Sequence, residues 1–188
     1  MTDLLELQER AAGEFGKRVD AVRDDQWSAP TPCNEWNVRA LVNHIVYEDR
    51  WAPHLVRGET IEQVGTRYDG DQLGDDPRRA WTDARAAALS AFRAPGALDG
   101  TVHLSYGDES SAVYLGQLTA DHLLHAWDLA RGIGADDTLD PELVQWAWDT
   151  MKPQEQMLRA SGLFGEALPV PDDSDLQTKL LALVGRRR

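Results

Sequence analysis

Two histidines and an aspartate fall together in Asp121-His122-Leu123-Leu124-His125, inside a segment that is otherwise apolar. Asp121 and His125 are four apart, so on a helix their side chains emerge one turn apart on one face and can grip a single ion. His122 points about 100° away by the helical period. Another histidine, His44, sits among Leu41, Val42, Ile45 and Val46, where an imidazole without a partner is desolvated at a cost. If His44 converged on Asp121 and His125, both anomalies would resolve. Two imidazoles and one carboxylate hold zinc, nickel or iron with positions left open, which is the pattern of a reactive metal. The plainer readings stay open at this point: Asp and His four apart are common as a surface pair, and a lone core histidine is more often hydrogen-bonded than a ligand.

Around this set, Glu48 and Asp128 lie four and three residues from a proposed ligand, so either could accept the free imidazole N–H, although solvation is the commoner fate of a carboxylate. His122 is expected to pack or hydrogen-bond beside the ligands. The single cysteine, Cys33, has no histidine at a spacing that would make a nucleophile pair and is expected to be a structural residue of its turn. Most of the seven tryptophans are expected to pack the core, with lining of a substrate pocket as the alternative. His54 and His103 have no partner pattern.

The elements that must position these residues read as helices. Leu4, Leu7, Ala11, Phe15, Val19 and Val22 recur at three- and four-residue steps, predicting a helix near 3–22 capped by Thr2. Asn37 can cap a second helix over 38–56, after the irregular stretch SAPTPCNEW. Residues 57–74, with four glycines and no sustained period, read as a long surface connection. Asp76-Pro77 starts a third helix that Pro95 closes, and Thr101–Tyr106 alternates like a short strand or extended loop. The segment 111–131 is apolar around much of its circumference and ends at Gly132 and Gly134, predicting the most buried helix. Asp140-Pro141 begins another, with a stop or kink at Pro153, and the tail ends in a short amphipathic helix. An all-α bundle follows, with a main domain over 1–135 and a C-terminal helical extension over 136–188 packing on the same bundle.

A formal net charge of −13 and a pI near 4.7 give a field that repels phosphate backbones and anionic lipids, so nucleic acid is not an expected partner. No run approaches the roughly 18 apolar residues of a membrane span. The charged start MTDLLELQERAAGEF lacks a signal peptide's apolar stretch, and one cysteine excludes an internal disulfide, so a cytoplasmic protein is expected.

At the candidate ligands the chain resembles the metal-binding proteins of the DinB-like superfamily, related to the N-terminal domain of mycothiol-dependent maleylpyruvate isomerase. The likeness runs through the first helix, Trp27, Pro30-Thr31-Pro32-Cys33-Asn34-Glu35-Trp36-Asn37-Val38-Arg39, Leu41-Val42-Asn43-His44 and Asp121 to Ala130, then Phe164-Gly165 and Val170-Pro171. It implies a DinB-like four-helix bundle with one divalent metal, zinc before nickel or iron, on His44, Asp121 and His125. It also implies mycothiol or a similar thiol as cosubstrate, a small electrophile as its partner, and a homodimer. The isomerase usually carries glutamate where Asp121 stands, and a further domain that contributes to its active site. Here some fifty residues follow the helix with the ligands, so maleylpyruvate isomerisation itself is not expected. A metal-dependent, thiol-using transferase or isomerase is the leading expectation, because a cation stabilises a bound thiolate over the thiol. The alternatives are a non-catalytic metal-binding or ligand-sensing module and a metal-dependent hydrolase with Glu48 as base.

Overall fold

The computed structural model describes residues 3–33 and 36–188, in two compact units, Met1–Asp137 and Thr138–Arg188. The expected cap Thr2, and Asn34 and Glu35 of the PTPCNEW stretch, lie outside the described residues.

In the first unit the long elements are α1 (Leu4–Ala21), α2 (Val38–Val56), a single turn α3 (Ile61–Val64), α4 (Pro77–Phe92) and α5 (Ser111–Ile133). Each begins where a short polar side chain can accept an orphan backbone N–H. Asp3 accepts from Leu5, Asn37 from Ala40, Asp76 from Arg79 and Ser110 from Val113. Four of them close a ring in which α1 packs on α5, α5 on α2, α2 on α4 and α4 on α1. Its interior is filled by Phe15, Val19, Leu41, Ile45, Trp81, Leu123 and Trp127, none more than 3% exposed. This is a mostly helical four-helix arrangement, the bundle that the periodicity predicts and the DinB-like form that the resemblance implies.

Two connections are more ordered than plain loops. The 57–74 segment is partly folded in: Thr60 and Gln63 form a reciprocal cap on α3, and Val64 and Leu73 are buried. Thr101–Leu104 is a true strand, β1, paired antiparallel with β2 (Gly107–Ser110), with Val102 opposite Glu109 and His103 opposite Asp108. Val102 is buried in the core and Leu104, two residues on, packs partly buried against it, so the apolar face of β1 rests on the bundle and β2 is a polar ribbon.

One close approach bears on the site. The turn before α2 lies so near α5 that a Cβ at Gly132 would meet Thr31 Cγ2 at 3.1 Å and the Pro30 carbonyl oxygen at 3.2 Å. A glycine inside this helix costs helix stability, and here it lets the 30–33 segment rest on α5.

The second unit holds α6 (Pro141–Met151), α7 (Glu155–Ser161) and α8 (Leu176–Leu183). Pro153 lies in a tight turn that separates α6 from α7, the break that a proline without an N–H imposes. Helix α6 packs on α8, and the Leu139 N–H donates to the Gln177 side chain at 3.0 Å.

Candidate metal centre

Helix α2 presents His44 and the neighbouring α5 presents Asp121 and His125, and the three side chains meet. His44 Nε2 lies 3.2 Å from Asp121 Oδ2, and His125 Nε2 lies 3.3 Å from Asp121 Oδ1. One ligand atom from each residue lies within 4.8 Å of the other two. Bonds of 2.0–2.1 Å to a tetrahedral zinc put neighbouring donors about 3.3 Å apart, which matches the two imidazole–carboxylate approaches. Asp121 is a methylene shorter than glutamate, yet its two oxygens already reach both imidazoles.

The charges reinforce one another. Burial alone would raise the Asp121 carboxyl, but the charge and hydrogen bond of His125, then those of His44, hold it well below the usual range. For His125 burial acts downward and is outweighed by Asp121, then by Asp128 and Cys33, so the ring is held well above an ordinary histidine. His125 is buried, whereas His44 and Asp121 keep about a quarter and a third of their side chains exposed, which leaves the set one open side.

Asp128, fully buried, lies 2.9 Å from His125 Nδ1 and accepts its N–H, which aims Nε2 at Asp121 and His44. Glu48 stands one turn beyond His44 on α2, outside the three-donor cluster. Its carboxyl is pushed up to about 7 by burial first and by the Asp121 charge second. His122 turns the other way, into the core. Its Nδ1 donates to the Leu118 carbonyl at 2.7 Å, its Nε2 faces Asp49 Oδ2 at 3.3 Å, and its ring packs edge-on to Phe15.

Three participants were not legible in the sequence. Asp49, 1% exposed, is the counter-ion of His122, and the only hint was a second acid next to Glu48 on an apolar face. Trp36 stacks on the His44 ring, centroids 4.5 Å apart and 30° from parallel, and tilts against His125 at 5.6 Å. Cys33, read as a structural turn residue, has its Sγ 3.3 Å from Asp128 Oδ2 and 3.9 Å from His125 Nδ1. The histidine is 92 positions away, so no local spacing could announce it.

A four-helix bundle with two imidazoles and one carboxylate converging between facing helices defines a DinB-like helical protein. More particularly, the chain belongs to the family of the mycothiol maleylpyruvate isomerase N-terminal domain, which matches residues 9–130. Two uncharacterised proteins, from two strains of Mycobacterium tuberculosis, are each 33% identical over 193 residues, covering 98% of this chain and 98% of the relative. Among solved structures, the mycothiol-dependent maleylpyruvate isomerase matches with a TM-score of 0.70 at 16% identity, covering 97% of this chain and 88% of that one. A histidine-to-alanine mutant of that isomerase gives 0.71 at 15% identity, with the same coverage. At such identity the structures speak for the fold.

Proposed function

We propose that this protein is a metal-dependent enzyme that joins a low-molecular-weight thiol, mycothiol or a close analogue, to a small electrophile or isomerises the adduct. His44, Asp121 and His125 hold the cation. The observation that carries the reading is the approach of two imidazole nitrogens to one carboxylate, at 3.2 and 3.3 Å, on a side that Asp121 and His44 leave open. Family membership supports the thiol.

A divalent cation bound there stabilises a thiolate over a thiol near neutral pH. Zinc suits two nitrogens and an oxygen, with nickel or iron as alternatives. Two neutral imidazoles and one carboxylate leave a divalent ion with one positive charge, which an incoming thiolate neutralises. Asp128 fixes the His125 tautomer, Trp36 keeps water from one face of His44, and Glu48, half-buried and titrating near neutrality, can take the proton that the thiol gives up.

That same Glu48 favours one rival, hydrolysis with Glu48 as the base for a metal-activated water. The test is turnover of a panel of electrophiles by zinc-loaded protein with and without mycothiol. Thiol-dependent consumption that His44→Ala abolishes is expected. Equal consumption without thiol would favour hydrolysis, and none under either condition would remove the enzymatic reading.

A further inference from the structure

His125 has two nitrogens, and each faces a different set of donors. Nε2 looks toward Asp121 and His44, while Nδ1 looks toward Asp128 and Cys33. Cys33 Sγ, His125 Nδ1 and Asp128 Oδ2 form a group of their own, separated by 3.9, 3.3 and 2.9 Å. Bonds of about 2.3 Å to sulfur and 2.0–2.1 Å to nitrogen or oxygen set tetrahedral edges of roughly 3.3–3.5 Å, so shifts of a few tenths of an ångström would close this group on an ion.

We propose that Cys33, Asp128 and His125 Nδ1 are a second cation site, selective for thiophilic metals, that competes with the His44–Asp121 set for the one imidazole they share. The competitive half rests on the metal reading above; the site itself does not.

The chemistry differs from that of the first set in two respects. A thiolate and a carboxylate bring two negative charges, so a divalent ion is neutralised here by the protein alone and attracts no external anion. Thiolate also prefers soft ions, where the imidazole and carboxylate set prefers borderline ones. The access is asymmetric: Asp128 and His125 are buried, and Cys33, partly exposed, is the side from which an ion arrives.

Exclusivity follows from the ring. A neutral imidazole has one lone pair and one N–H. When Nε2 binds in the first set, the N–H is on Nδ1 and Asp128 accepts it. When Nδ1 binds in the second set, the N–H is on Nε2 and Asp121 accepts it. Coordination at the second set releases the Cys33 S–H proton and the Nδ1 proton of the charged ring to solvent, and leaves the remaining ring proton on Nε2. A soft cation taken up at Cys33 therefore withdraws a ligand from the first set, so filling the second set would shut down the first under soft-metal stress.

The test uses cadmium alone on the full chain carrying His44→Ala, which removes the first set and spares the second. One equivalent is expected to produce a thiolate-to-cadmium charge-transfer band in the ultraviolet. Adding Cys33→Ser should abolish the band, and adding Asp128→Asn, which removes a charged ligand, should weaken binding by more than the roughly 10–100-fold that loss of a supporting partner costs. Circular dichroism verifies that each variant is helical. A folded His44→Ala protein without the band, or a band whose affinity Asp128→Asn leaves unchanged, overturns the site. In the wild type, cobalt is loaded first and its visible spectrum followed as cadmium is added. Loss of the cobalt spectrum as the cadmium band grows supports competition, and full retention of both overturns it. Failure of the first reading looks different: wild-type protein takes up no cobalt at all, while the cadmium band persists in both proteins.

Discussion

Helix α5 carries the histidines of two histidine–aspartate pairs of the same length, one closed by Asp49 of α2 and one by its own Asp121, and they do opposite things. His122 and Asp49 stand 3.3 Å apart with side chains 1% exposed on both sides. His125 and Asp121 also stand 3.3 Å apart, but the carboxylate keeps about a third of its surface and meets a second imidazole from α2. In the first pair the Leu118 carbonyl takes the other ring nitrogen, so the imidazole has no lone pair to offer outside the core. In the second, Asp128 takes the other ring nitrogen and leaves Nε2 toward a gap between donors. A His–Asp contact is thus a structural brace or a ligand set according to what occupies the rest of its valence and how much water reaches it.

The largest effect should come from breaking the closed pair. Asp49→Ala leaves His122 buried without its counter-ion, and removing one partner of a buried pair costs about 3–5 kcal/mol. Chemical denaturation should show that loss, whereas Asp121→Ala, at the pair whose carboxylate reaches solvent, should cost far less. Equal losses would erase the distinction between the two pairs. Burial lowers the His122 pKa and Asp49 more than offsets it, so the folded value is raised. The pair's contribution is therefore fully present below the unfolded value, about 6.5, and lost as pH rises through the folded one. In chelator-treated protein, Asp49→Asn should flatten that alkaline decline in stability.

The open pair is sharpened by metal. His44→Ala or His125→Ala should reduce zinc affinity by more than the roughly 10–100-fold that loss of a supporting partner costs. Elemental analysis after dialysis measures it. Asp128→Asn should fall within that 10–100-fold range, because the ligands stay and only the ring's anchoring is weakened. Zinc at a hundred times its Kd should stabilise the wild type by about 2.7 kcal/mol and leave His125→Ala unmoved. A wild-type melting temperature indifferent to zinc, with no zinc retained on dialysis, would deny the site its ion.

Much of this arrangement could be read from the chain. The helices that carry His44, Asp121 and His125 are set by apolar steps of three and four and by Asn37 and Ser110 at their starts, all local signals. What escaped is non-local or unpatterned. Asp49 finds His122 across 73 positions, and Cys33 finds Asp128 across 95. Strand β2, Gly-Asp-Glu-Ser, has no apolar alternation to betray it, because its ladder hydrogen bonds to β1 are what hold it extended. Trp36 could be placed in a motif but not against a ring, since the turn that aims it is fixed by where α5 lies.

That turn offers the smallest test. Gly132→Ala adds a Cβ 3.1 Å from Thr31 Cγ2 and 3.2 Å from both the Pro30 carbonyl oxygen and Val38 Cγ2. Overpacking costs about 1–3 kcal/mol, and alanine in a helix returns about 1 kcal/mol, so a net loss on the order of 1 kcal/mol is expected. Its direction is more telling than its size. The added methyl pushes the 30–33 segment away from α5, carrying Cys33 off Asp128, while His122 of α5 and Asp49 of α2 lie elsewhere and do not feel it. Cadmium affinity in the His44→Ala background should therefore fall with Gly132→Ala, while the alkaline decline attributed to His122 keeps its shape. Should cadmium affinity hold steady, the seating of the turn on α5 is not what brings the thiol to the carboxylate.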